Sequence, residues 1–517
     1  MTRNICGITS AVPFGTYGSC SSPNGVETPG YYQVLPTGED SDSYDFSRMQ
    51  KMSKLRGRVK LCVTNNTRPD RWSGYALMFA LAFALSNAAQ ICAESLLLRG
   101  ATVHTVSGET IAPGDVLIRN GKIAAVGKTI KTNDATVVSL TGQHLYPGLI
   151  AATSSLGLTE INAVRASQDT SEVGEYTPDV QAWIAVNPDS ELIPVARANG
   201  IAHALTVPLG ASVSGQSGLI ALDGWTTEQM TIKHPAALHL FWPSMVLEQT
   251  ARGQSRGSSN TKSLDDQAKD RVRKLKEIDD FFTEAESYAK AQRASKKENR
   301  QSSISIPAWE AMLPFLQGQI PLVIHANEVR QIKAAVNWAV GRNYRIILAG
   351  GRDAWMVASL LAEHKVPVIY EAMFDLPARD IEPYDVHFKT PGLLQKAGVT
   401  VIFSQGAGAT PATQVRNLPY AAAQAAAFGL PADEALKGIT LYPARILQVA
   451  DRLGSIETGK DATLFAADGD ILDIRSRVTR IWIGGREVSL QSRHTRLFEK
   501  YKGRPSSKPS APAIGGQ

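Results

Sequence analysis

Residues 145–155 read Leu145-Tyr146-Pro147-Gly148-Leu149-Ile150-Ala151-Ala152-Thr153-Ser154-Ser155, and the texture of the chain changes across them. Before this stretch, from Ser95, short apolar strands alternate with tight turns. Leu96–Val103, Asp115–Ile118, Ile123–Gly127 and Ala135–Leu140 read as strands. Asn120-Gly121 supplies a two-residue hairpin turn, since both positions tolerate positive φ. After it, short apolar runs alternate with helical stretches as far as Val449, the mark of a (β/α)8 barrel. The expected barrel strands are Leu149–Thr153, Ala202–Val207, Gly218–Leu222, Ala237–Trp242, Pro321–His325, Arg345–Gly350, Pro367–Glu371 and Thr400–Ser404. The first texture returns at the far end in Ala462–Ala466, Val478–Ile483 and Arg486–Val488, with a turn at Gly484-Gly485.

Pro147-Gly148-Leu149-Ile150 resembles the opening of the barrel in the amidohydrolase superfamily, where Pro-Gly-Leu-Ile-Asp leads into a His-x-His pair that grips a metal. Here Ala151 stands at the Asp position, and Thr153 and Ser155 at those of the histidines. Residues 454–464, Gly-Ser-Ile-Glu-Thr-Gly-Lys-Asp-Ala-Thr-Leu, resemble the return segment of imidazolonepropionase-like members, with Thr463 in place of the usual Asp. The resemblance spans about residues 95–490. It implies an α/β fold, a TIM-type barrel flanked by a small β-sandwich built from both ends of the chain. The domain plan is an extension at 1–70, a leader at 71–93, sandwich parts at 94–147 and 450–490, the barrel at 148–449 and a tail at 491–517.

In such barrels the C-terminal strand ends carry the chemistry, because the loops there converge on one pocket. The resemblance implies a divalent metal such as zinc, and a site that lowers the pKa of bound water needs three or more protein donors. His325, in Val323-Ile324-His325-Ala326-Asn327-Glu328, matches the fifth-strand ligand. The sixth strand ends in Ala349-Gly350-Gly351 and the eighth in Phe403-Ser404-Gln405-Gly406, where the family has His and Asp. His325 is therefore either a residual metal or substrate ligand or an inherited polar residue bonded to a neighbour. Carboxylates beside a histidine serve hydrolysis without a metal. That makes His325, Glu371 and Glu160 the catalytic candidates. Arg416, Gln405 and Ser404 are the substrate-binding candidates, Arg416 by receiving a carboxylate. His239, within Leu238–Trp242, reads as an interior histidine, and the other histidines show no ligand spacing. The Gly/Ser-rich run Pro208–Gly218 reads as a loop that lets backbone approach a ligand.

Residues 252–300 interrupt the barrel with thirteen Lys/Arg and nine Asp/Glu. From Asp265, Val272, Leu275, Ile278, Phe281, Phe282 and Ala285 recur at three- and four-residue steps, giving one amphipathic helix that packs on the barrel or on a partner. The formal net charge is +6, but residues 1–93 hold nine basic and six acidic residues, leaving 45 against 42. No basic run is interleaved with aromatics, so nucleic acid is not an expected partner. Two readings of function remain. One is a hydrolase of carbon–nitrogen bonds, other than ordinary peptide bonds, in a cyclic or small amide, its metal dependence reduced or absent. The other is a catalytically silent barrel that binds a small ligand or a protein partner. A homo-oligomer is left open.

Cys6, Cys20, Cys62 and Cys92 all precede residue 94, so a chain trimmed there has no thiol for a disulfide, a nucleophile or a metal. Arg68 and Arg71 precede the apolar run Gly74–Leu85, and small residues follow to Ala93. These are the three parts of a secretory signal peptide, and the run is shorter than the roughly 20 residues of a membrane span. The expectation is export to the periplasm or cell exterior, with no membrane span after cleavage. N-terminal sequencing of the mature protein is expected to begin near Glu94; a start at Met1 in cytosolic protein overturns the leader.

Overall fold

The computed structural model describes residues 95–247, 262–297 and 305–504. The extension, the leader and the first part of the insertion lie outside the described residues, as does the end of the chain. The segment before the barrel forms β1 (Leu96–Val103), β2 (Ile111–Arg119), β3 (Lys122–Gly127), β4 (Thr136–Ser139) and β5 (His144–Pro147). The barrel strands are β6 (Leu149–Ser154), β7 (Ile201–Thr206), β8 (Val213–Ala221), β9 (Thr231–Phe241), β10 (Leu322–Ala326), β11 (Ile346–Gly350), β12 (Val368–Tyr370) and β13 (Val401–Phe403). β14 (Leu464–Ala467), β15 (Val478–Ile483) and β16 (Arg486–Val488) follow.

Both ends of the chain build one sheet, ordered β16-β15-β14-β5-β1-β2-β3, with β4 against the first half of β1. The junction is the antiparallel pairing of β14 with β5, which sets Leu464 opposite Pro147. The sheet curls back so that its β2–β3 end meets the segment leading into β14: Ile123 N donates to Lys460 O at 2.9 Å and Ala462 N to Gly121 O at 2.8 Å. Leu98, Val116, Ile118, Leu145 and Trp482 are buried between the two faces. Gly148 then turns the chain into the barrel, and a Cβ there would sit 2.6 Å from the Ala202 methyl carbon and 2.8 Å from a Thr463 methyl carbon. Only glycine fits between barrel and sheet.

The barrel sheet runs β6 to β13 in spatial order. Ile150, Leu205, Leu219, Ala237, Val323, Ile347, Ile369 and Ile402 place one apolar side chain from each strand in a common buried cluster. This dry layer floors the barrel. One departure from the expected all-parallel barrel is β8, which pairs antiparallel with both β7 and β9. The cause is connection length, because a parallel crossover needs a dozen or more residues and residues 207–212 allow only a hairpin. A second reversal before β9 restores the common direction, so β9 to β13 are parallel. The supposed ligand loop Pro208–Gly218 is corrected by the same fact, since Val213–Gly218 lie buried within β8. A Cβ on Gly218 would meet Trp183 Cβ at 2.7 Å, so the glycine admits the short helix Ala182–Ala185 onto the sheet.

The insertion forms a helix, Leu264–Lys297, whose Ile278, Phe282, Ala285 and Ala289 are buried. Phe282 packs edge-on against Trp338 of the helix Val329–Gly341, with ring centroids 4.9 Å apart. Val272 is 64% exposed, so the apolar face begins one turn later than the sequence suggests. Within the tail, Arg493–Lys502 form a helix capped by Ser492. Phe282→Ala should lower unfolding stability by about 3–5 kcal/mol in denaturant titrations, the usual cost of emptying a buried aromatic site. Val272→Ala should change it by less than about 0.5 kcal/mol. Equal effects would mean that the helix does not share the barrel core.

Candidate active site

Three residues from non-adjacent parts of the chain meet where β6, β12 and β13 end. Thr153 Oγ1 lies 2.6 Å from Glu371 Oε1 and 2.6 Å from Ser404 Oγ, and Ser404 Oγ donates to Thr153 O at 2.8 Å. These three contacts need three protons. The two hydroxyls supply two: with Glu371 ionised, Thr153 shares one proton between Glu371 and Ser404, and with Glu371 protonated each contact has its own. In that state Glu371 donates to Thr153, Thr153 to Ser404 and Ser404 to the Thr153 carbonyl. An ionised Glu371 would leave the chain one proton short. Burial pushes the Glu371 carboxyl up to about 7, with Asp375 adding to the rise and the Thr153 hydroxyl opposing it.

Opposite this chain stand two imidazoles. Register places His325 of β10 beside Phe241 of β9, and the two rings stack with centroids 4.0 Å apart. His239, two residues before Phe241, projects to the same side of β9, and its Nδ1 lies 2.9 Å from His325 Nε2. One of these nitrogens must donate to the other. Burial holds both rings neutral: it takes His325 down to about 3 and His239 well below its ordinary value. His325 and Glu371 border a cavity of about 220 Å³, together with Phe241, Trp242, Asn327 and Gln331. Trp242 Nε1, His239 Nε2 and Gln405 Nε2 are buried without hydrogen-bond partners.

The structure thus brings His325 and Glu371 to one cavity, with Ser404 behind Glu371 in the hydroxyl chain. Gln405 follows Ser404 with its amide nitrogen unpaired. Glu160 lies in the loop after β6 with Oε1 buried and unpartnered, and it is not among the residues lining this cavity. Arg416 is exposed in a short helical turn, where its carbonyl accepts from Asn199 Nδ2 at 2.8 Å, and it too is absent from the cavity wall. Sequence reasoning missed His239 and Thr153 as members of the site. Alternation in Leu238-His239-Leu240-Phe241 was the available signal for His239. A second imidazole pair, His104 Nε2 and His144 Nδ1 at 2.9 Å, lies beside Tyr146 in the small sheet, away from the strand ends.

The donor set does not fit the family's metal. Among the described residues no group of three His, Cys, Asp or Glu side chains converges as a metal site. The two imidazoles spend nitrogens on each other, and the first strand offers only the neutral hydroxyls of Thr153 and Ser155. Ser155 Oγ already accepts from Gly408 N at 2.8 Å.

The amidohydrolase family model matches residues 229–488. An amidohydrolase from Thermotoga maritima superposes with a TM-score of 0.67 at 30% identity, covering 76% of this chain and 99% of that one. The chain belongs to the amidohydrolase family. Among curated proteins it is similar to the amidohydrolase tasK of Hapsidospora irregularis, 24% identical over 408 residues, 72% of this chain and 39% of that protein. A dihydroorotase of Thermoanaerobacter sp. is 28% identical over 133 residues, 24% of this chain and 30% of that one. The matches to these curated relatives therefore span well under half of the relatives' own length.

Raising a carboxyl pKa in the folded state favours folding at low pH and costs stability as pH rises through the folded value. Glu371 should therefore stabilise the fold fully below about 4.5 and lose that contribution through about 7. Glu371→Gln keeps a donor for Thr153 and cannot ionise. Relative to the parent it should gain about 1–3 kcal/mol at pH 8 and little at pH 5, at 1.36 kcal/mol per pKa unit. The histidine contributions cancel in this difference. Denaturant midpoints at the two pH values make the comparison, and a gain that does not depend on pH would show that Glu371 is ordinarily ionised.

Proposed function

We propose that this protein hydrolyses a carbon–nitrogen bond in a small amide, cyclic or open, with Glu371 as the proton-transfer group. The reading includes independence from a conventional metal site and action outside the cytosol. The observation that carries it is a carboxyl group balanced near pH 7 on the wall of a cavity that has room for a small ring. The names of the amidohydrolase relatives support an amide as the bond attacked.

Ionised Glu371 accepts a proton from water as the water oxygen bonds to the amide carbon. Collapse of the adduct breaks the C–N bond, and Glu371 returns the proton to the departing nitrogen. His325, neutral and stacked on Phe241, borders the substrate without competing for that proton. A second reading, a silent barrel that binds a ligand, is favoured by the degree to which Glu371, Thr153 and Ser404 already satisfy one another.

Assay of chelator-treated protein on hydantoins, dihydropyrimidines and N-acyl amino acids separates these. Hydrolysis should rise with pH to a plateau above about 7. It should fall about 10²–10⁴-fold in Glu371→Gln, the range for losing a general acid–base group. Turnover abolished by the chelator and restored by zinc would sink the metal-independent reading. Ligand binding with no turnover of any compound would favour the silent barrel.

A further inference from the structure

Beyond the inner cavity, the same strand ends open on a second hollow of about 810 Å³, lined in part by Ser244, Arg271, Glu328, Arg330, Arg352 and Arg379. The two have no lining residue in common but run side by side along the chain: Trp242, Gly350 and Gln331 border the inner space, and Ser244, Arg352 and Arg330, one or two residues away, border the outer one. Its four guanidinium groups come from separate segments: the insertion helix, the helix after β10, the turn after β11 and the loop after β12. The carboxylates that steady them stand behind the wall. Asp353, whose side chain is 1% exposed, pairs with Arg379 and lies 3.5 Å from Arg352. Glu382, 5% exposed, holds Arg379 from the other side. Arg271 is fixed by donating to Met245 O at 2.8 Å. Arg330 makes no ion pair among the described residues.

Among these lining residues the one carboxylate is Glu328. Ser244 donates to its Oε1 at 3.0 Å, and its Oε2 is buried with no partner. The wall therefore presents several guanidinium donors, largely set in place, beside one carboxylate that Ser244 already engages. Guanidinium forks match carboxylate and phosphate oxygens two at a time, and a cleft of one charge sign concentrates the opposite ion.

We infer that the outer hollow holds an anionic group, carboxylate or phosphate, of the substrate whose amide lies against Glu371. This names the substrate class within the hydrolase reading and rests on it: a small amide bearing a negative charge at one end, drawn in and oriented by the rim.

The test uses the full-length Glu371→Gln protein, so that binding is read without turnover. Calorimetric titrations with succinate, inorganic phosphate and neutral succinamide are compared. Succinate or phosphate should bind, more tightly at low salt, and succinamide should not. Arg330→Gln and Arg271→Gln should each weaken the anion at least tenfold. Tighter succinate than phosphate assigns a carboxylate, and the reverse assigns a phosphate. Anion binding that is absent, or that is the same in both arginine variants as in their parent, overturns the inference. Failure of the parent protein to hydrolyse any amide leaves this binding result intact, and loss of anion binding leaves the hydrolase reading intact.

Discussion

A barrel must hold its first strand against its last, and here side-chain protons do much of that work at the mouth. Thr153 and Ser404 join β6 to β13 through two contacts, and Glu371 ties β12 into the same chain. The number of protons available ties the closure of this seam to the charge state of one carboxyl group. Barrel closure and the protonation of Glu371 are therefore coupled at a single atom, Thr153 Oγ1. In a site with histidine ligands at this strand a metal would do the joining. A chain of hydroxyls does it instead.

The distribution of charge follows from the floor beneath. One apolar residue per strand makes a dry layer, and the groups resting on it resist ionisation: both imidazoles are held neutral and Glu371 only half ionised at neutral pH. Full charges appear further out, where Asp353 and the arginines can pair or meet water. The result is a graded arrangement, with largely uncharged groups at the centre and full charges at the rim.

Much of this was legible in the sequence. Apolar runs bounded by turn residues located all eight barrel strands, because each must bury side chains on both faces. Pro147-Gly148 marked the passage from one sheet to the other. The direction of β8 was not legible from apolar texture, since a buried run looks alike in either direction; the short link from β7 held the answer. Gly215 and Gly218 suggested a loop, yet Gly218 is there because Trp183 packs on it. Residues His325 and Glu371 could be chosen by their places at strand ends. The partnership of His239 with His325 depends on strand register across an insertion that separates them, and the hydroxyl chain depends on barrel closure. Arg416 had the right chemistry for an anion, but its turn faces solvent; the arginines of the rim are scattered over 271–379 and share no motif.

The two-ended sheet also fixes an order of events during synthesis. β5 waits for β14, and Tyr146 reaches its hydrogen-bond partner Asp470 across 324 residues. Until β14 is in place, β5 exposes an unpaired edge of the kind that recruits other strands. The segment β14–β16 works as a clasp, and its docking closes the edge of β5 to strand exchange.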